Sequence, residues 1–425
     1  AAAEAAGVPS SSLVCDGFLG QGATTAVGLG LPNLPMAKVP GHVDTQTDNE
    51  LRDNLTSVTV NAVIENLTAA QPAAVMIPEP GPQDVVMEGS FDEINRFFYE
   101  NGWSDGLPIV PPTRAKIESF LAFTDLPTEH VIGKLLPDNR EATVWNVAVN
   151  GVMAGCQPDH LPVLVAATKA LGQSALNLKA LNTTTHPCTV LALISGPITE
   201  AIDVNTTYNV MGQGSLANAA IGRGIRSILL NIGGGTPGIL DRATMGTPAK
   251  YSFCFGENLA ENPWGETLAM ERGFGAEQST VTLCGVEGPH NVNDHYGKTA
   301  EEILQTIGGT MCSPGLNNSY LGGEIMLVLG PEHAEIIHND GFSKADIKNY
   351  LIENAFIPAH VLSEPQRVIM RQYVPERLMA DGDEGARIAM SHDDIQLVVA
   401  GGAGRHSAVI PSFGNTRAVT EAIET

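Results

Sequence analysis

The sequence has 425 residues and a formal net charge of −24 at pH 7. So acidic a chain repels phosphate backbones and anionic lipid surfaces, and we therefore expect neither nucleic-acid binding nor peripheral membrane binding. No apolar run approaches the ~18 residues that a membrane-spanning helix needs, and residues 1–30 lack the basic-then-apolar order of a signal peptide. The sequence therefore predicts a cytoplasmic protein with room for two or three domains.

Six cysteines are scattered along the chain without a Cys-x-x-Cys pair. This pattern argues against a disulfide framework and against a zinc ribbon. We expect most of these cysteines to be small buried side chains, with one or two reactive thiols as the alternative. They are Cys15, Cys156, Cys188, Cys254, Cys284 and Cys312.

Residues 1–69 have the pattern of half an α/β domain. Strands are predicted at 12–16 and at Met36–Val39, with a Gly-rich helical stretch between them. Two strands are too few for an independently stable sheet, so we expect the sheet to be completed from elsewhere. A helix follows with Asp48 as its N-cap, and its apolar positions at helical spacing are Leu51, Leu55, Val58, Ala62 and Leu67.

Residues 70–90 carry four prolines and no amphipathic period, which is typical of a linker. Residues 91–425 then form a second, larger domain. The predicted fold class is α/β, with a partial Rossmann-like half-domain at the N-terminus and a larger α/β domain built on strand, Gly-turn and helix units.

Four segments of the larger domain repeat one local design, in which an apolar strand runs directly into a Gly-rich turn. Neighbouring parallel strands of one sheet end at a common edge, and ligands of open α/β sheets bind there. We therefore expect the four strands to be neighbours whose carboxyl ends line up. The segments are 189–202, 279–292, 324–337 and 394–410.

The turns after these strands carry histidines and carboxylates. Histidine titrates near neutral pH, so His290 is a candidate acid or base and His333 a candidate substrate ligand. The alternative is that each histidine only caps a helix or makes a local hydrogen bond. A metal ion held by His290, Asp294 and His295 is a further, weaker alternative, because no compact ligand signature such as His-Glu-x-x-His is present.

His186 and Cys188 stand at the start of the first of these strands. An imidazolium beside a thiol lowers the pKa of the thiol, so Cys188 is a candidate nucleophile. Pro187 between them favours a strand edge or a bulge. A purely structural cysteine is the competing interpretation.

A Gly-rich loop containing Gly212 and Gly214 leads into a helix that carries Arg223. Backbone amides at a helix start bind anions, so these three residues are candidate anion ligands. No Lys-Ser/Thr pair follows, so this is not a nucleotide-binding P-loop. The small residues of the helix equally permit close helix packing.

The segment 247–275 contains a further predicted strand that ends in Gly256-Glu257-Asn258. A carboxylate and an amide directly after a buried strand suit acid or base catalysis and substrate orientation. Lys250 precedes the strand and is a candidate substrate ligand. An ordinary surface loop is the alternative.

The segment SLVCDGF…GLGLPNLPMAKVPGHVDTQTDNELRDNLTSVTVNAVIENLT resembles the UGSC-type (seleno)protein family, named for a selenocysteine or cysteine followed by Gly-Ser-Cys. The likeness consists of a strand ending in Val14-Cys15, the LGLPNLP element, the VPGH turn and Glu50-Leu51-Arg52 near a helix start. It covers about residues 8–68 and corresponds to the C-terminal half of the family's domain.

In that family the reactive motif lies upstream of this segment, and this sequence contains no Cys-Gly-Ser-Cys. The resemblance therefore implies that the reactive half is on a companion chain or has been cut off. Cys15 would lie at the junction with it. The implied function is a subunit of a thiol- or selenol-dependent oxidoreductase or lyase, acting on a small polarised substrate within a hetero-oligomer, with no cofactor specified. The alternatives are a non-catalytic scaffold subunit and a self-contained hydrolase or lyase using Cys188 or Glu257.

Overall fold

A computed structural model gives the structure of the protein over residues 2–5, 8–68 and 81–424. Helices and strands are mixed along these residues, which confirms the predicted α/β fold. Of the predicted linker, residues 70–80 lie outside the described residues, and residues 81–90 contain turns and bends only. In the described ranges, no helix is both long and apolar enough to cross a membrane. The division into domains at 69 and 91 stays a prediction.

Strands and helices follow one another throughout the described chain. The strands are β1 (Ser12–Cys15), β2 (Met36–Val39), β3 (Val131–Leu135), β4 (Arg140–Thr143), β5 (Thr189–Ser195), β6 (Cys254–Gly256), β7 (Thr280–Val286), β8 (His290–Asn293), β9 (Ile325–Leu329), β10 (Phe356–Pro358), β11 (Leu378–Met379), β12 (Gly385–Arg387), β13 (Ile395–Val399), β14 (His406–Pro411) and β15 (Val419–Ala422). The α-helices are α1 (Ala2–Ala5), α2 (Leu19–Gly28), α3 (Asp48–Asn54), α4 (Val60–Thr68), α5 (Phe91–Glu100), α6 (Arg114–Leu121), α7 (Val144–Ala154), α8 (Leu161–Leu171), α9 (Leu178–Thr183), α10 (Ile198–Ala201), α11 (Leu216–Asn231), α12 (Leu268–Glu271), α13 (Ala300–Met311), α14 (Asn317–Leu321), α15 (Pro331–Asn339), α16 (Lys344–Asn354) and α17 (Glu364–Tyr373).

Eight of the strands form two mixed sheets of four. The first has the order β15-β7-β5-β6, in which β5 is parallel to β6 and antiparallel to β7. The second has the order β13-β9-β14-β8, in which β9 is parallel to β13 and antiparallel to β14. The other strands form the small sheets β1-β2, β3-β4 and β10-β12-β11.

The two large sheets pack face to face between two layers of helices. Leu191 and Leu193 of β5 share a core with Met326 and Val328 of β9, between the sheets. The intervening residues of β5 pack against α7, α8 and α11, and the outer face of the second sheet packs against α13, α15 and α16. Because both faces of each sheet are covered, β5, β7, β9 and β13 are buried along their whole length, and their sequences are mostly apolar without a polar-apolar alternation.

The expectation that the four strand and Gly-turn segments share one sheet edge is wrong. β5 and β7 are antiparallel neighbours in one sheet, whereas β9 and β13 lie in the other. The carboxyl ends of β6 and β13 meet, because the Asn258 N–H donates to Val399 O at 2.8 Å. The carboxyl end of β7 lies at the opposite end of the sandwich. We call the end where β6 and β13 finish the Glu257 end, and the end where β7 finishes the Lys250 end.

The N-terminal residues form the parallel β1-α2-β2 unit that the sequence predicts, with the first strand ending one residue early at Cys15. The predicted helix runs from α3 to α4 through five π-helical residues, Leu55–Thr59. Its N-cap is Thr47, one residue before the predicted one. Thr59 of this π-helical turn is buried, whereas two of the apolar residues at helical spacing, Val58 and Leu67, are exposed.

Residues 8–68 have little apolar core of their own. Their buried apolar side chains are Ala26, Ala37 and Val39, and none of the hydrophobic clusters of the described chain includes a residue from this range. Nine large apolar side chains of the range are exposed, namely Val8, Leu13, Val27, Leu29, Val43, Val58, Val60, Ile64 and Leu67.

This N-terminal unit packs on the large domain through α2. Gln21 Nε2 donates a hydrogen bond to Thr183 O at 2.9 Å. At the other end of α2, Gly28 lies so close to the backbone of Asp138 that a Cβ atom at Gly28 would overlap it. The absence of a side chain at Gly28 therefore permits this contact.

Candidate functional site

A pocket with a volume of about 500 Å³ lies at the Lys250 end of the sandwich. Its lining comes from α11, from the segment 237–251 and from the turn at Ser104 and Asp105. Charged and hydroxyl groups reach it alongside the exposed side chains of Met245 and Tyr251. The pocket thus combines apolar walls with a small number of polar groups, which is typical of sites for small molecules.

Three mostly buried charged side chains meet in the lining of this pocket. Lys250 Nζ lies 2.7 Å from both carboxylate oxygens of Asp241, and Arg226 Nη2 lies 3.1 Å from Asp241 Oδ2. Charge-assisted hydrogen bonds of this kind are about twice as strong as neutral ones. Two cations facing one carboxylate leave this cluster of three side chains with a charge of +1, and the other acid of the lining, Asp105, is paired with Arg223. This arrangement suits a small anionic or strongly polarised group.

Cys188 lies close to this cluster but is buried. Burial raises the pKa of the Cys188 thiol to about 12, and the nearby Lys250 ammonium lowers it only in part. His186 Nε2 lies 2.9 Å from Glu287 Oε1, so its ring is engaged by a carboxylate. The structure therefore places a protonated thiol at Cys188, which does not favour the predicted nucleophile.

Cys15 lies at the carboxyl edge of the β1-β2 sheet, and this edge contacts the segment that lines the pocket. The Arg242 guanidinium lies 5.8 Å from the centre of the Phe18 ring, three residues after Cys15. Arg242 also donates to the carbonyl of Gly238, a pocket-lining residue, at 2.8 Å. Phe18 in turn packs on His42, which follows β2. Cys15 is partly exposed and stands three residues before the ring that Arg242 contacts, and Arg242 directly follows the pocket residue Asp241.

Glu257 and Asn258 lie at the opposite end, between the two sheets. Glu257 is 3% exposed and accepts hydrogen bonds from Ser195 Oγ at 2.7 Å and from the Leu268 N–H at 3.2 Å. Burial raises the pKa of Glu257 to about 7, against the opposing effect of Lys344. Asn258 Nδ2 donates to Gly401 O at 3.2 Å. The Glu257 side chain thus joins β5 to α12, whereas the Asn258 side chain joins the end of β6 to the turn after β13. Both side chains are remote from the pocket.

The Gly-rich loop and Arg223 are also separated. Arg223 lies eight residues into the helix that Ser215 caps, which corresponds to about 12 Å of helix rise. Its guanidinium donates two hydrogen bonds to Asp105, at 2.8 and 2.9 Å. Gly214 has a φ of 120°, which accounts for glycine there, and Gly212 packs against the side chain of Asn209. The structure does not bring the three predicted anion ligands together.

The three candidate metal ligands do not converge either. His290 is exposed, and its Nδ1 lies 3.1 Å from Asn291 O. Asp294 accepts a hydrogen bond from the Gly297 N–H at 2.7 Å, and His295 packs edge-on against another histidine. Among the residues that the structure describes, no group of three His, Cys, Asp or Glu side chains is arranged to hold a metal ion.

His333, predicted as a substrate ligand, is completely buried. Its Nδ1 lies 2.8 Å from Ser407 Oγ, and its Nε2 lies 3.0 Å from Asp294 O. Burial lowers the pKa of His333, so the neutral ring is favoured. These contacts join α15 to β14 and to the turn after β8.

Sequence reasoning missed Asp241 and Arg242. Asp241 is the shared anion of the pocket cluster, and Arg242 links the pocket to the N-terminal unit. The available signal was an adjacent acid and base inside a stretch otherwise rich in Gly, Thr and apolar residues, 233–249. Such a pair in such surroundings indicates buried charges with partners.

No curated protein matches this chain. One family model does match, over the segment that carries β1, β2 and Cys15. This confirms the predicted family resemblance, and the match is at the N-terminus of the chain. The chain is therefore similar to the UGSC family over residues 1–69.

Proposed function

We propose that this chain is a subunit of a thiol- or selenol-dependent enzyme that cleaves a small polarised substrate, with the reactive cysteine or selenocysteine supplied by a companion chain. The observation that carries the proposal is the contact between Arg242, next to the pocket, and Phe18, which follows Cys15 at the carboxyl edge of the β1-β2 sheet. A group placed on that edge would face the segment that carries Asp241 and Lys250.

We further propose that residues 1–69 correspond to the C-terminal half of the UGSC domain. Three features support this. The family model matches this segment, its described part has a single pair of strands, and its apolar side chains are exposed more often than buried. A companion that adds strands and an apolar face would complete the domain.

The pocket residues suit the chemistry of such a reaction. In nucleophilic cleavage, a thiolate or selenolate forms a bond to the electrophilic atom of the substrate, while the bond to the leaving group breaks and the leaving group takes up a proton. Lys250 and Arg226 would stabilise the negative charge that develops on the substrate. In the reductive variant, the two electrons come from the paired thiol or selenol groups of the companion's motif, which end as a disulfide or selenosulfide.

The proposed location of the protein is the cytoplasm. All six cysteines are free thiols, and reducing compartments keep thiols in that state. A thiol- or selenol-dependent reaction also needs its nucleophile reduced.

The experiment uses the native complex, isolated from its source through a tag on this chain and tested on a panel of small electrophiles. We expect turnover by the complex, none by the purified chain, and loss of turnover after alkylation of the companion. Lys250→Met should lower turnover at least 100-fold, because it removes an ammonium group that stabilises the developing negative charge. The fold is retained, because Asp241 keeps Arg226 as a partner. The exposed Lys116→Met is the matched control, with turnover within two-fold of wild type. Full activity of the purified chain would contradict the proposal.

A non-catalytic scaffold is the second candidate function. It is favoured by the structural hydrogen bonds that occupy several predicted site residues, notably Arg223 with Asp105 and His333 with Ser407. A scaffold predicts that Lys250→Met leaves the turnover of the complex unchanged, so the same experiment separates the two functions.

A further inference from the structure

No second strand pairs with the outer edge of β1 among the residues that the structure describes. Within the described ranges, β2 is the strand that pairs with β1, and the pairing is parallel. The Ser12 N–H donates to Pro35 O at 2.9 Å. Backbone groups of a strand point alternately to its two sides, so those of Ser12 and Val14 point to β2 and those of Leu13 and Cys15 point outward.

The side chains show the same asymmetry. Leu13 is in register with Ala37, so both lie on one face of the sheet. Ala37 is completely buried on that face, whereas Leu13 is 59% exposed. The opposite face is covered by α2, whose Gly22 lies against Val14 and Met36. Leu13 therefore stays largely exposed on a face where Ala37, in the neighbouring strand, is covered.

Helix α4 also packs against β2, and its exposed apolar side chains extend the exposed apolar surface of this unit. Its residues Val60, Ile64 and Leu67 are all more than 40% exposed, and their i, i+4, i+7 spacing places them in one stripe. Asn66 Nδ2 donates to Ser11 Oγ at 2.9 Å, so the end of α4 lies beside the start of β1. An apolar patch and an open strand edge thus occur together.

We infer that the companion chain docks by adding a parallel strand to the outer edge of β1, with apolar side chains that cover Leu13 and the α4 stripe. This inference rests on the proposed function, since it specifies where the companion binds. Parallel strands are stable when both faces of their sheet are covered, so a strand followed by a helix fits this surface.

Charge argues for a different chain and against a second copy of this one. Residues 8–68 contain six Asp and Glu and two Lys and Arg, which gives a net charge of −4. The whole chain carries −24, so two copies repel each other. A neutral or basic partner is complementary.

Hydrogen exchange of the full chain, purified and in the native complex, tests the pairing at single residues. We expect the amides of Ser12 and Val14 to be protected in both samples, because they bond to β2. The amides of Leu13 and Cys15 should exchange at least 100-fold more slowly in the complex than in the purified chain. Equal exchange of Leu13 and Cys15 in the two samples would overturn the inference.

Native mass spectrometry of tagged variants tests the patch. Leu13→Lys should lose the companion, whereas Val27→Lys should retain it, since Val27 is similarly exposed but lies on α2. Retention of the companion by both variants would overturn the inference. So would a wild-type chain that is found only with copies of itself, or a longer form of this polypeptide whose own residues pair with β1. If Leu13→Lys loses the companion and Lys250→Met keeps full turnover, only the proposed function is refuted. If Leu13→Lys keeps the companion and Lys250→Met loses turnover, only the docking surface is refuted.

Discussion

Lys250 Nζ is equidistant from the two carboxylate oxygens of Asp241, at 2.7 Å from each. Arg226 contacts the same carboxylate, so one buried anion holds two cations. The position of the lysine in the pocket therefore depends on a residue that does not itself have to contact substrate.

We predict that Asp241→Asn destabilises the protein by about 3 kcal/mol, because it leaves Lys250 and Arg226 mostly buried without a counter-charge. The free energy of unfolding in urea measures this. Asp383→Asn, at an exposed position, should change it by less than about 0.5 kcal/mol. A stability of Asp241→Asn equal to wild type would mean that solvent reaches the two cations.

Thiol alkylation of the native chain at pH 8 should label Cys15 first. Cys156, Cys188, Cys254 and Cys284 are buried, and the partly buried Cys312 has its pKa raised to about 12 by burial. We expect Cys15 to be labelled at least 100-fold faster than Cys188, as read by peptide mass spectrometry over time. As a control, all six thiols should react at similar rates in urea. Rapid labelling of Cys188 in the native chain would contradict its burial.

Glu257 should make the stability of the protein depend on pH. Its pKa in the folded state is about 7, above the ordinary value of 4.5, so the folded state binds the proton more tightly than the unfolded state does. Stability is therefore greatest below pH 4.5 for this group and falls by about 3 kcal/mol as the pH rises to 7.

Urea unfolding of wild type and Glu257→Gln from pH 4.5 to 8 checks this dependence. The difference between the two proteins should change with pH in favour of the variant, while other groups, such as the buried Glu324, cancel in the comparison. Glu353→Gln, on the exposed side of α16, should track wild type at every pH. Parallel curves for Glu257→Gln and wild type would contradict the buried-acid interpretation.

Two glycines of α2 give opposite predictions for the same substitution. Gly28→Ala should destabilise the contact with the large domain by about 1–3 kcal/mol, because its methyl group overlaps the backbone of Asp138. Gly20→Ala has open space around it and should stabilise α2 by about 0.5–1 kcal/mol. Urea unfolding, with hydrogen exchange of α2, distinguishes them, and the same sign for both would refute the close approach at Gly28.

The positions of several strands could be predicted because they depend on the residues of the strand and the turn after it. The bounds of β2 and the buried runs of β5, β7, β9 and β13 follow from β-branched and apolar residues before Gly turns. The direction of β7 and the sheet to which β9 belongs were not predictable, because a buried strand reads the same whichever neighbour it pairs with. The π-helical turn at Leu55–Thr59 was also invisible to a regular helical period.

The candidate site was predicted only in part. Lys250 and Cys15 came from the sequence, but the partner Asp241 lies in a stretch with no recognisable motif, and Arg242 matters only through its contact with Phe18. Conversely, Glu257 and His290 follow strands that end on opposite sides of the sandwich. Position after a strand predicts a functional edge only when the strand direction is known.

Strand β5 begins directly after Cys188, which lies next to the Lys250 cluster, and ends at Ser195, the hydrogen-bond donor to Glu257. Seven strand residues span about 20 Å. Side chains that far apart, with no shared partner, contribute to folding independently of one another. The changes in the free energy of unfolding caused by Asp241→Asn and by Glu257→Gln should therefore add in the double variant. One end of the sandwich is thus free to change in sequence without a compensating change at the other.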